Sequence, residues 1–153
     1  MNLQFNKKNI IYFIGIGGIG MSGIALIMKN LGYNVQGSDV AKTSRILNEL
    51  KKKKIKIIHG HLTKKILKAD IVVISSAIKP RNEEYQLAKK NKILIIKRAD
   101  MLAHLINLKK NIIISGSHGK TTITSLVSHL LKDNKFYPTI VNGGIINSLK
   151  SNA

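Results

Sequence analysis

Two short glycine-rich segments constrain this chain more than any other feature, because each follows an apolar β-branched run and precedes a helical stretch. The first is Gly15-Ile16-Gly17-Gly18-Ile19-Gly20, after the run at residues 10–14. The second is Gly116-Ser117-His118-Gly119-Lys120-Thr121-Thr122, after the run at residues 112–115. A strand that turns through bare residues into a helix leaves backbone N–H groups at the corner, at the positive end of the helix dipole. Corners of this kind receive phosphate groups.

The remaining pattern repeats the same theme. Short apolar runs at 34–37, 56–58, 71–74 and 93–96 read as further strands. Helical stretches at 21–31, 44–52, 82–90 and 99–107 lie between or beside them. Gly32 is placed to end the first helix. Alternating strands and helices, with strands apolar throughout, predict an α/β fold: a Rossmann-like parallel sheet covered on both faces. After residue 107 a second cycle begins, with a strand at 111–114, the second glycine corner, a helix at 120–132 and a further strand at 138–141. Residues 1–107 are therefore expected to form one Rossmann-like domain. Residues 108–153 would be the start of a second, P-loop ATPase-like α/β domain, too short to bury its own sheet.

Composition narrows the function classes. The formal net charge is +19, yet lysine supplies 23 of the 26 basic residues and arginine only 3. Readers of nucleic acid favour arginine for its planar fork, and aromatic residues for stacking are only 5% here. The charge thus predicts salt-dependent attraction to polyanions in general, and no specific nucleic-acid partner. The lysine run at 51–54 reads as a solvated helix end. Cysteine is absent, so neither a disulfide framework nor a thiolate metal site is available. No apolar run reaches membrane-spanning length, and no signal segment is seen, so no membrane partner is expected and the cytoplasm is the expected location.

The first corner fits G-x-G-x-x-G. Gly15 permits the tight turn, Gly17 lets backbone approach a phosphate, and Gly20 lets the helix pack on the strand. Asp39, ending the second strand, is placed to accept a hydrogen bond from a ribose hydroxyl. Read alone, this motif admits a dinucleotide, and hence an NAD-dependent oxidoreductase, as well as a nucleotide-diphosphate sugar. The second corner is a shortened phosphate loop. Ile114 stands where the longer G-x-x-x-x-G-K-[ST] pattern has its first glycine, leaving G-x-x-G-K-T-T. In such a loop Gly116, Ser117, His118 and Gly119 would surround ATP phosphates, Lys120 would reach the β and γ oxygens, and Thr121 would ligate Mg²⁺.

The two corners in this order resemble the Mur ligase family. The likeness also rests on Tyr12-Phe13-Ile14 before the first loop, Leu31-Gly32-Tyr33, Gly37-Ser38-Asp39, Ser75-Ser76-Ala77-Ile78, Arg98-Ala99-Asp100-Met101-Leu102 and Asn142-Gly143-Gly144. It is strongest with the members that join L-alanine to UDP-N-acetylmuramate. A related branch that recycles murein tripeptide shares the architecture. The resemblance implies a UDP-sugar domain, a central ATPase and a third domain. Position by position, it implies that Gly15, Gly17, Gly18, Ile19 and Gly20 meet the UDP-sugar diphosphate, with Asp39, Ser75 and Ser76 near the uridine. ATP would be held by Gly116, Ser117, His118, Gly119, Lys120, Thr121 and Thr122, with Lys120 and Thr121 as the catalytic pair. The implied chemistry is amide formation in peptidoglycan precursor synthesis. Ser117 and Ile123 stand where the family more often has threonine. The further magnesium ligands and the third domain would lie beyond residue 153, so this stretch alone is expected not to catalyse ligation.

Overall fold

The computed structural model describes residues 5–60, 64–108 and 110–141. Five parallel strands form one sheet: β1 (Ile10–Ile14), β2 (Asn34–Asp39), β3 (Lys56–His59), β4 (Ile71–Ile74) and β5 (Leu94–Lys97), in the order β3-β2-β1-β4-β5. The order reverses at β1, whose neighbours are β2 and β4. Ligands of open α/β sheets bind in the crevice at such a reversal, beyond the carboxyl ends of the strands. The 15–20 loop leaves β1 at that end.

Helices α1 (Ile19–Asn30), α2 (Arg45–Lys52), α3 (Glu83–Lys90), α4 (Arg98–Asn107) and α5 (Lys120–Asp133) lie between or after the strands, with a 3₁₀ turn at Lys64–Lys68. Side chains alternate across β1, so the strand feeds two cores. Ile11 and Phe13 face α1, α2 and α4, among Ile24, Met28, Leu47, Leu50 and Met101. Tyr12 and Ile14 face the other side, with Ile66, Val72 and Ala88. All four β1 side chains are fully buried, as burial on both faces of a central parallel strand requires.

Local chemistry sets the helix ends. The Ser44 side chain accepts from the Leu47 N–H at 3.1 Å, and the Asn82 side chain accepts from the Tyr85 N–H at 2.9 Å. Gly32, at φ +88°, closes α1, with the Tyr33 N–H bonded to the Met28 carbonyl at 3.0 Å. No helix among the described residues is long and apolar enough to cross a membrane.

The sheet differs from the sequence expectation in its second part. The segments expected as strands at 111–114 and 138–141 are not strands in the described residues, and neither joins the five-stranded sheet. A strand exists only as a member of a ladder, and Ile112 and Ile113 instead stand 65% and 69% exposed. Helix α5 does form, with Leu126 and Leu130 left on its open surface.

Candidate functional site

The first corner is held from within by its own backbone. The Gly15 and Ile16 amides both donate to the Ser38 carbonyl, at 2.8 and 2.9 Å. The Gly18 amide donates to the Gly15 carbonyl at 3.2 Å. The Gly17 amide donates to Asp39 Oδ2 at 2.7 Å, and Asp39 Oδ1 accepts from the Ala41 N–H at 2.9 Å. The buried Asp39 carboxylate therefore fastens the loop to the end of β2. Its expected place beside a ribose adds to a structural task that the sequence did not disclose.

The bare positions have distinct uses. A Cβ at Gly17 would lie 2.8 Å from Asp39 Oδ2 and 3.0 Å from Leu47 Cδ2, so the protein itself fills the space that Gly17 opens. Gly15, at φ +73°, makes the turn, with Ile78 Cδ1 3.7 Å from where its Cβ would be. That contact brings the turn after β4, which carries Ser75 and Ser76, beside the glycine loop. The turn is closed by the Ile78 N–H donating to the Ser75 carbonyl at 3.1 Å. Gly18 and Ile19 lie exposed at the start of α1 and form the open part of the corner.

Arg98 is the residue that the sequence reading left out of the site. A Cβ at Gly20 would sit 2.7 Å from Arg98 Nη1, so the guanidinium lies against the first turn of α1. It forms no ion pair among the described residues, where the single salt bridge joins Arg45 to Glu49. A cation at a helix N-terminus is repelled by the dipole unless an anion joins them. Arg98 lies far from the loop in sequence, and only the packing of α4 on α1 brings it there.

The second corner is a glycine-capped helix start with a lysine folded over it. Gly119 caps α5 at φ +77°, a left-handed conformation that glycine adopts without strain. The Lys120 ammonium folds over the loop and donates to the carbonyls of Gly116 and Ser117, the latter at 2.9 Å. His118, Thr121 and Thr122 are exposed around it. A helix N-terminus, an ammonium and two hydroxyls fit a polyphosphate chain. Toward Mg²⁺ the segment offers hydroxyl oxygens, and no cluster of three His, Cys, Asp or Glu side chains exists among the described residues. Thr121 could supply one ligand of a magnesium ion whose other ligands come from elsewhere.

Comparison with known proteins identifies the family. Residues 10–110 match the Mur ligase family, catalytic domain. The chain belongs to the Mur ligase family. It is 54% identical, over its whole length, to UDP-N-acetylmuramate–L-alanine ligase of Pelagibacter ubique, of which it covers 33%. It is also 54% identical over 99% of its length to the same-named protein of Rickettsia massiliae, covering 32% of it. The chain thus spans about a third of the length of the curated relatives it matches. Among solved structures, the UDP-N-acetylmuramate–alanine ligase of Thermotoga maritima superposes with a TM-score of 0.84 at 33% identity, covering 94% of this chain and 35% of that one. The UDP-N-acetylmuramate:L-alanyl-γ-D-glutamyl-meso-diaminopimelate ligase of Neisseria meningitides gives 0.84 at 26% identity, covering 92% and 44%. The family model covers the first glycine corner, and the relatives' matches extend over the second.

Proposed function

We propose that this chain is the nucleotide-binding portion of an ATP-dependent ligase that joins L-alanine to UDP-N-acetylmuramate during cytoplasmic peptidoglycan precursor synthesis. The observation that carries the reading is the pairing of two differently built phosphate corners on one Mur ligase chain. One lies at the strand-order reversal of the sheet, and the other caps α5 with glycine in the left-handed conformation. The 54% identity to relatives named for L-alanine, against 26% to the ligase named for the tripeptide, supports the L-alanine branch over the recycling branch.

In this reading residues 1–107 take the UDP-sugar and residues 108–153 begin the ATP-binding domain. The diphosphate lies over Gly18, Ile19 and Gly20, where the α1 dipole and the Arg98 guanidinium both present positive potential. Gly15 and Gly17 shape that surface, Asp39 fixes it, and Ser75 and Ser76 border the uridine side. At the second corner, Gly116 to Gly119 wrap the ATP phosphates. Lys120 exchanges its two loop carbonyls for phosphate oxygens, and Thr121 and Thr122 offer hydroxyls, Thr121 toward Mg²⁺. Magnesium, when bound, neutralises charge on the transferred phosphoryl group, and Lys120 adds to that electrostatic stabilisation. The reaction transfers the γ-phosphoryl group of ATP to the muramoyl carboxylate. The L-alanine amine then attacks the acyl carbon, phosphate leaves, and the amine loses its proton.

Calorimetric titration with UDP-N-acetylmuramate and, separately, with NAD tests the assignment. Heat with the UDP-sugar and none with NAD is the expected result, and the reverse pattern would overturn it.

A further inference from the structure

Glu84 is the one acidic side chain other than Asp39 that the described fold buries, and nothing in the proposed reaction uses it. It lies on the first turn of α3 at 1% exposure, under the sheet on the Tyr12 side. Its Oε1 accepts from the Tyr12 hydroxyl at 2.7 Å, and its Oε2 accepts from the Ser38 hydroxyl. Both donors are themselves fully buried. Burial pushes the Tyr12 phenol well above its usual pKa, and the Glu84 carboxylate beside it adds to that, so Tyr12 remains a donor at any physiological pH. Placing a carboxyl group in an apolar core is costly, and an apolar side chain there would fill the volume at lower cost.

Ser38 links this cluster to the glycine corner. Its hydroxyl is bonded to Glu84, and its carbonyl accepts the amides of both Gly15 and Ile16, at 2.8 and 2.9 Å. One residue thus touches the buried carboxylate with its side chain and the turn of the loop with its backbone. We propose that Glu84 is a positioning residue for the 15–20 loop: through Ser38 it fixes the carbonyl on which the turn is hung, and so presets the loop for its diphosphate. The ligand half of this statement rests on the proposed UDP-sugar function. The mechanical half rests on the hydrogen bonds alone.

The two hydroxyl partners of Glu84 separate a positioning role from mere stabilisation. Tyr12→Phe and Ser38→Ala each delete one buried hydrogen bond to the same carboxylate together with the bond between the two hydroxyls, but of the two only Ser38 accepts the loop amides. Amide hydrogen exchange is followed by NMR on the full chain and both variants, alongside thermal melting and titration with UDP. Both variants should melt at similarly lowered temperatures. In Ser38→Ala alone, the Gly15 and Ile16 amides should exchange about tenfold faster, and UDP affinity should fall by about the same factor. Glu84→Gln keeps the volume and one acceptor oxygen, and gives the same loop-selective acceleration should Ser38→Ala fail to fold. Equal exchange at Gly15 and Ile16 in all these chains overturns the positioning role. UDP that fails to bind the unaltered chain overturns the ligand assignment instead, and the exchange pattern still decides what Glu84 does.

Discussion

The Asp39 carboxylate accepts the Gly17 amide at 2.7 Å, while its other oxygen holds Ala41 at 2.9 Å. A carboxylate presents acceptors on both sides, whereas an amide of the same shape presents one acceptor and one donor. Asp39→Asn must therefore set an NH₂ group against one of two backbone N–H groups. Loss of one such charge-assisted bond should lower stability by about 1.5–3 kcal/mol, visible as a reduced melting temperature. UDP affinity should drop with it, since the loop loses its tie to β2. Full UDP affinity in a folded Asp39→Asn chain would show that this tie does not shape the corner.

Arg98 and Gly20 give a prediction of opposite character. Arg98 is exposed and makes no ion pair among the described residues, so Arg98→Ala should leave the melting temperature nearly unchanged. Removing a charge-assisted contact to a phosphate should weaken UDP binding by about ten- to a hundredfold, on the scale of 1.5–3 kcal/mol for such bonds. Uridine, lacking phosphates, should bind both chains alike. Gly20→Ala reaches the same end from the other side. Its Cβ would displace the guanidinium tip 2.7 Å away, while the α1 helix gains about 1 kcal/mol in propensity. A chain that melts higher and binds UDP more weakly is the expected result. Unchanged UDP affinity in both variants would remove Arg98 from the site.

Most of the fold was legible because parallel strands buried on both faces leave uninterrupted apolar runs, and all five were found within a residue or two. Helix starts were legible where a capping side chain marks them, as at Ser44 and Asn82. The ends of α2 and α3 fall at Lys52 and Lys90, where they were expected, although their chains turn through left-handed lysines, Lys54 and Lys92, and not through glycine. The strands expected at 111–114 and 138–141 are not paired among the described residues. Their composition suits a strand, but a strand also needs a neighbour, which composition cannot supply. At the candidate site, local motifs pointed to the glycines, Asp39, Lys120 and the threonines. Arg98 and Glu84 reach the first corner only through packing between elements far apart in sequence, so no local pattern marked them.

His104 offers a pH test of the packing beneath α4. Its ring meets Phe5 edge-on with centroids 4.4 Å apart, and its Nε2 is buried with no hydrogen-bond partner among the described residues. Burial lowers its pKa from the usual value, because the charged form would lose hydration without gaining a bond. The unfolded chain then binds a proton more readily than the folded one between the depressed folded pKa and the ordinary value near 6.5. Stability should accordingly be complete above that range and decline as pH falls through it. His104→Phe keeps an aromatic ring against Phe5 and removes the titrating group. Melting curves between about pH 7 and pH 5 should slope less for this variant. Parallel slopes would show that another group governs the acid limb.

The second corner can be tested separately from the first. The Lys120 ammonium is exposed and, among the described residues, bonded only to the Gly116 and Ser117 carbonyls, so Lys120→Met should leave the fold intact. It should reduce binding of ATP by about tenfold or more, the usual scale for losing one charge-assisted phosphate contact, without changing UDP affinity at the first corner. Gly119→Ala acts through the backbone instead. At φ +77° a Cβ strains the turn by about 1–2 kcal/mol, enough to shift the loop or fray the start of α5. ATP binding should then fall while Lys120 is still present. Competition between ATP and UDP for one site, measured by titrating each in the presence of the other, is the result that would break the two-corner reading, because two independent loops predict additive heats.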